Sequence, residues 1–380
     1  MTRNVLIYRN ELLPPTETFI LLQACGLQSF KPAFAGLKRV RDGLDLAAHP
    51  VITLCGADSW YQKVKRRLFL RSGRSRQFIH AAAIQGPQLI HAHFAIDACA
   101  ALPIAKVLRI PLVVTLHGYD VSWREESLTC WPTTRAYLRR KELLWEYAAA
   151  FICVSEHVLR RALILGYPPE KLWVHHIGIR VKTCNKQERH RRKKIVLFVG
   201  RLVEKKGCVH LIRAMARVRR TVPDVRLVIV GDGPLRKSLE TEAASCSIDA
   251  VFVGHQSQFA VQQWMQRASV LAVPSAEARN GDSEGLPTVL CEAHAEGLPA
   301  VAFAIDGVTE AFPIERRKTL PVAGDIAALA DEIIRLIEND PAWHEASDAG
   351  FQYVAEHFDL NVQTRLLEKK YEEVIGGHRA

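Results

Sequence analysis

Short apolar runs of strand length recur along the chain, and this recurrence limits the fold more than any other feature. In the first half they fall at residues 4–8, 50–55, 89–94, 112–117, 151–155 and 172–177. Stretches with helical spacing lie between them, at about 59–83, 96–108 and 132–149. Strands that are apolar throughout are buried on both faces, and a parallel sheet covered by its own crossover helices meets that need. The pattern predicts a Rossmann-like domain, without a dinucleotide fingerprint. Residues 180–194 (RVKTCNKQERHRRKK) interrupt it with dense charge and no apolar period, and read as a linker. The alternation then restarts at 195–199 and continues through 225–231, 251–255, 270–274 and 300–304. Helical spacing dominates the end, at 325–338, 341–358 and 360–374. A length of 380 residues suffices for two domains, each with its own core.

Three places in this framework have the make-up of ligand sites. In 270–304 a buried strand ends at Pro274 and Ser275, a polar acidic loop follows to Leu286, and Pro287 suits the first turn of a helix that stops at Gly297. Strand, loop and helix start is the arrangement that aims backbone N–H groups at an anion. Glu284 and Glu292 frame it. If both were helical they would stand roughly 12 Å apart along the axis, wider than the ~5–9.5 Å of a glycosidase pair, so they suit two parts of an elongated ligand. In GRLVEKKG, Gly200 and the bases Arg201, Lys205 and Lys206 follow a strand and precede a helix, which is a phosphate site by geometry. His117-Gly118-Tyr119-Asp120 follows the strand at 112–117, at the carboxyl end where open α/β sheets bind ligands. His91-x-His93 lacks a third ligand for a metal.

The segment NGDSEGLPTVLCEAHAEGLP resembles the donor-binding signature of retaining family-4 glycosyltransferases, and its extended loop is most similar to enzymes of colanic acid and amylovoran clusters. The likeness is strong at 196–207 and 270–304 and weaker over the first 90 residues. It implies the α/β GT-B fold: two Rossmann-like domains facing a cleft, with a C-terminal helix crossing back to the N-terminal domain. The expected division is an acceptor domain at 1–185, a linker at 186–194, a nucleotide-sugar domain at 195–358 and the returning helix at 359–380. By the same resemblance Arg201 and Lys206 hold the donor diphosphate, Glu284 lies near the donor sugar and His117 contacts it, and Glu292 hydrogen-bonds the ribose. Gly200, Gly285, Leu286, Pro287, His255 and Asp120 complete the donor-binding set, with Glu310 beside it. Thr18, in PPTETFI, stands where the family has a Gly-rich loop, and a helix cap at Thr16 or Thr18 is equally open. The implied reaction is transfer of a hexose from a UDP- or GDP-sugar to a saccharide acceptor, with retention of configuration. No metal and no cofactor beyond the donor is expected, and the chain has no Asp-x-Asp run.

The formal charge of +11 calls for an anionic partner. Much of it sits in WYQKVKRRLFLRSGRSRQFIH, where Trp60, Lys63, Lys65, Arg66, Arg67 and Arg71 interleave with apolar residues and no acid occurs from 59 to 96. A basic amphipathic helix of this kind suits an anionic membrane surface, although a solvated helix packed on its own sheet has the same composition. With the resemblance, the expected partner is a polyprenyl-diphosphate-linked or other saccharide acceptor at the membrane, and not nucleic acid. No run of ~18 apolar residues is present, no signal peptide is evident, and the nine cysteines lack disulfide or metal spacing. These features point to the cytoplasm, with peripheral attachment to the inner face of the cell membrane. Two rivals remain: an epimerase or hydrolase of nucleotide sugars on the same fold, and a non-catalytic protein that binds anionic surfaces.

Overall fold

The computed structural model describes residues 3–56, 59–122, 131–181 and 193–379. The chain divides into two compact units, Met1–Gly178 with Leu360–Ala380, and Ile179–Asp359. Most of the expected linker, up to residue 192, lies outside the described residues.

The first unit is built on a parallel sheet. Its strands are β1 (Arg3–Tyr8), β3 (Phe30–Gly36), β5 (Val51–Thr53), β6 (Leu89–His93), β7 (Leu112–Leu116), β8 (Ala150–Cys153) and β9 (Leu172–Val174), in the order β5-β3-β1-β6-β7-β8-β9. Two short strands, β2 (Glu11–Leu12) and β4 (Lys38–Arg39), pair beside it. Strand β3 is absent from the sequence reading because FKPAFAG holds a proline. Phe34 donates to the Pro50 carbonyl on the β5 side, and β5 pairs only with residues 34–36. The N–H that Pro32 lacks would point to that same side, below the start of β5, so no ladder bond is lost.

The single helix expected over 59–83 is two helices, Trp60–Ser72 and Arg76–Ile84. Gly73 breaks it: its φ is 70°, its N–H caps Phe69, and a Cβ there would stand 2.6 Å from Pro103. The cap expected at Thr16 or Thr18 is also absent. Glu17 occupies the N-cap of Thr18–Gly26 without a side-chain cap, and its carboxylate serves Arg9 instead. The C-terminal helix Leu360–Arg379 belongs to this unit, with Leu367, Tyr371 and Ile375 buried among Val5, Phe30 and Phe34.

The second unit holds a five-stranded parallel sheet of β10 (Ile195–Val199), β11 (Arg226–Val230), β12 (Ala250–Gly254), β13 (Val270–Val273) and β14 (Ala300–Ala302), ordered β12-β11-β10-β13-β14. The helix Cys208–Thr221 packs on it through Leu211, Ile212, Met215 and Val218. Each such side chain contributes about 1.5–3 kcal/mol by leaving water, so the loop before this helix starts from a fixed point.

Both sheets reverse their winding once, between β1 and β6 in the first and between β10 and β13 in the second. Just beyond the carboxyl ends of those strand pairs open α/β sheets form their ligand crevice.

Candidate functional site

In the second unit the crevice brings together residues far apart in sequence. Gly207 follows the basic loop with φ 63°, and a Cβ there would lie 1.8 Å from the Pro274 carbonyl oxygen, so only glycine lets this loop press on the end of β13. The Ala276 N–H donates to the Lys205 carbonyl at 2.9 Å and locks the two segments. Lys206 thereby reaches Glu284, Nζ to Oε1 2.7 Å, and Ser275 donates to the same oxygen at 3.2 Å. Glu284 is buried. Burial alone would raise its carboxyl, but the Lys206 and Lys205 cations, with the hydrogen bonds from Lys206 and Ser275, hold it below the usual carboxylate range. Lys205 is occupied by Asp282 at 2.9 Å, so it braces the extended loop. Arg201 is exposed at the same loop.

The helix Thr288–Ala295 begins one residue later than expected, with Pro287 at its N-cap and Gly285, Leu286 and Pro287 buried before it. Gly307, at φ 82°, packs on this loop, where a Cβ would come within 2.4 Å of the Glu284 carbonyl oxygen. That contact places Gly307 against the backbone of Glu284 and Gly285, while Glu310, three residues on, accepts from the Tyr353 hydroxyl through its carbonyl at 3.0 Å. Glu292 lies on the helix, partly buried, and burial raises its carboxyl to about 7. Gly200 passes close to Lys206, its Cβ position 3.6 Å from Lys206 Cδ. His255 follows edge strand β12, exposed, away from the β10/β13 crevice in strand order.

The crevice of the first unit is filled differently. Arg9, after β1, donates to Glu17 (Nε to Oε2 3.0 Å) and to Asp97, and its guanidinium lies 4.3 Å from the centre of the Phe94 ring. Asp97 also accepts from the Asn10 backbone and side chain, both at 2.7 Å. Two carboxyls share one guanidinium, and burial keeps both above their usual range. Beside them His93 Nδ1 meets His117 Nε2 at 2.9 Å, so one proton lies between the rings. Burial, with Arg9 nearby, pushes His117 well below the usual histidine range and leaves it neutral. His91 is spent on structure, bonded to Tyr371 at 2.5 Å and Thr115 at 2.6 Å.

The family model "Glycosyl transferases group 1" matches residues 182–353, and "Glycosyltransferase Family 4" matches 41–183. Together the two models span residues 41–353, and the fold is that of the GT-B glycosyltransferases. Among its relatives is the amylovoran biosynthesis glycosyltransferase AmsK of Erwinia amylovora, 30% identical over 260 residues, which are 66% of this chain and 61% of that protein. WcaL of Salmonella typhimurium, named as a colanic acid biosynthesis glycosyltransferase, is 29% identical over 232 residues, 59% of this chain and 54% of WcaL. The matches thus span less than two thirds of either relative. Anabaena HepE, solved in complex with UDP-glucose, superposes with a TM-score of 0.77 at 18% identity, over 97% of this chain and 99% of that one.

The structure gives one donor-binding candidate, Asp120, a bracing role. Asp120 is buried, and its two oxygens accept from the backbone N–H groups of Ala95, His117 and Gly118 at 3.0–3.1 Å. These bonds brace the His117 loop. The sequence reading also missed Ser275, Arg9, Glu17 and the His93–His117 bond. Asp97 did carry a signal: it is a lone acid inside the apolar run AIDACAAL, and an unpaired carboxylate is not buried there without a partner.

Proposed function

We propose that this protein transfers a hexose from a UDP- or GDP-sugar to a lipid-linked saccharide in the synthesis of a bacterial surface polysaccharide, with retention of configuration. The observation that carries the proposal is the Lys206–Glu284 pair at the β10/β13 crevice, with Arg201 exposed on the same loop. A diphosphate leaving group develops charge as the sugar departs. Arg201, Lys206 and the N-terminus of Thr288–Ala295 are preorganised cationic partners for that charge, which is electrostatic catalysis at the transition state. Glu284, held ionised by Lys206, offers fixed acceptors for sugar hydroxyls. Glu292 is the candidate for the ribose, and His117 presents a neutral imidazole as the candidate sugar contact from the first unit.

The names of AmsK and WcaL support a surface polysaccharide as product, and the UDP-glucose bound to HepE supports a nucleotide-sugar donor. Docking at the cytoplasmic face of the membrane through Trp60–Ser72 is part of the proposal. Trp60, Tyr61 and Leu68 are exposed on that helix among its bases. No helix among the described residues is long and apolar enough to cross a membrane.

The test is a panel of UDP- and GDP-hexoses offered with a polyprenyl-diphosphate-linked saccharide, the product read by mass spectrometry and its anomeric configuration by NMR. Glycosylated lipid with the donor's configuration, formed in excess EDTA, is the expected result. An inverted product, or donor epimerised or hydrolysed without transfer, would overturn the proposal.

A further inference from the structure

Lys206 faces two demands. It pairs with Glu284, Nζ to Oε1 2.7 Å, and the proposed function gives it to the donor diphosphate as well. A lysine ammonium is a single point charge, so phosphate oxygens gathered around Nζ compete with the carboxylate for one cation. Glu284 is only 6% exposed, and a buried carboxylate whose cation is drawn off takes up a proton. A protonated Glu284 no longer presents acceptors alone to the sugar hydroxyls. Once the donor is bound, something other than Lys206 must hold the charge on Glu284.

The surroundings of Glu284 contain one such group. Burial works against its charge. Lys206 and then Lys205 work for it from the basic loop, with hydrogen bonds from Lys206 and from Ser275 at the end of β13. The segment after β14 approaches the Glu284 backbone at Gly307. On the loop of Glu284 itself the acid Asp282 is turned onto Lys205, Nζ to Oδ1 2.9 Å, with both side chains less than a fifth exposed. Lys205 is therefore the second cation of the pair of bases, and Asp282 the second acid.

Lys205 is also fixed in place. Its carbonyl accepts from the Ala276 N–H at 2.9 Å. Its partner is fixed by the extended loop: the Asp282 carbonyl accepts from Ala278 at 2.9 Å, its N–H donates to Asn280 Oδ1 at 3.0 Å, and Gly281, at φ 85°, makes the turn between them. With backbone and head group both tied down, Lys205 is held to a carboxylate where Lys206 has to serve a phosphate. We infer that Lys205, anchored by Asp282, is a positioning residue that keeps Glu284 charged and in place while Lys206 engages the donor diphosphate. The inference rests on the proposal that Lys206 holds that diphosphate, and it explains why two adjacent lysines are matched with two acids.

The test follows protons. UDP, with GDP as the second probe, is titrated into the protein calorimetrically at pH 6.5 in buffers of different ionisation enthalpy, which gives the protons taken up on binding. The nucleotide's own protonation is common to all variants and cancels in their difference. Wild type and Lys205→Arg should take up the same number. Lys205→Met should take up more, and the excess should vanish in Lys205→Met/Glu284→Gln, which assigns the proton to Glu284. If Lys205→Met fails to fold because Asp282 is left alone, Lys205→Met/Asp282→Asn removes both charges of the clip and gives the same reading. In transfer at saturating donor, kcat of the charge-removing variant should fall about tenfold at pH 6 and return to within about twofold of wild type by pH 8. A merely structural role would lower it equally at both. Equal proton uptake in wild type and variant, or an excess that persists without Glu284, overturns the inference and leaves the proposed reaction standing. Excess uptake in a protein that transfers no sugar keeps the role of Lys205 and removes the reaction. If neither nucleotide binds, both fall.

Discussion

The two crevices share a topology and use it in opposite ways. In the first unit the space beyond β1 and β6 is closed by its own side chains: Arg9 is shared between Glu17 and Asp97, and Asn10 takes up what Asp97 has left. In the second, Lys206 and Glu284 form one pair, and Arg201 on the same loop is exposed. A network whose charges are matched inside the protein specifies packing. A crevice that keeps a cation turned outward is prepared for an anion that is not part of the chain. Equivalent strand ends therefore do not imply equivalent function, and the balance of charge separates the two.

That contrast can be broken most sharply in the second unit. Arg201→Ala should lower kcat/KM for transfer by about 10²–10³, the effect of removing one preorganised charge from a transition state, and leave Tm unchanged. Lys206→Ala should cost a similar factor in rate, but it also strands a buried carboxylate. Breaking a buried pair from one side costs about 3–5 kcal/mol. The sign with pH is set by Glu284: its carboxyl lies below the usual range while Lys206 is present, so the pair stabilises above that range and the benefit is lost as pH falls. The Tm gap between wild type and Lys206→Ala should thus be wide at pH 8 and narrow near pH 4. Glu284→Gln in the same chain should recover most of the Tm and none of the rate. Equal Tm losses in Arg201→Ala and Lys206→Ala would erase the distinction between the outward cation and the paired one.

The first crevice should respond the other way round. Arg9→Met leaves Glu17 and Asp97 buried without their shared cation, again about 3–5 kcal/mol of stability. Donor hydrolysis per folded molecule, measured at a temperature where the variant is fully folded, should stay within about threefold of wild type. A hundredfold loss of that rate with little change in Tm would move Arg9 from the packing into the reaction.

The smallest effect belongs to Glu292. Its burial raises the carboxyl to about 7. Raised above the unfolded value, it binds a proton in the folded state that the unfolded chain has released, so stability declines as pH climbs from the usual carboxylate range to about 7. Glu292→Gln should raise Tm at pH 8 and leave it unchanged near pH 4. The donor KM should rise about fivefold to tenfold, the worth of one hydrogen bond, with kcat little altered. If the substitution lowers Tm at pH 8, the carboxyl is paired in the folded protein and the ribose assignment loses its basis.

The sequence alone determined the alternation of buried strands with helices, the restart after residues 180–194, and the loops around Arg201, Lys206 and Glu284. These are local signals: an apolar run, a glycine after a strand, a proline before a helix. Strand β3 was hidden because whether Pro32 is tolerated depends on where β5 begins, which is a property of the neighbouring strand. The break at Gly73 is visible as a glycine, but its necessity comes from Pro103, thirty positions away. The tertiary structure alone decided the partners. Lys206 and Glu284 were separate candidates until Gly207 pressed the basic loop on Pro274. Asp120 looked like a ligand until three backbone N–H groups claimed it. Arg9, Glu17 and Asp97 could be joined only after β1 and β6 were known to be adjacent. A carboxylate's availability depends on the donors that enclose it, and in a parallel sheet those come from crossover connections distant in sequence.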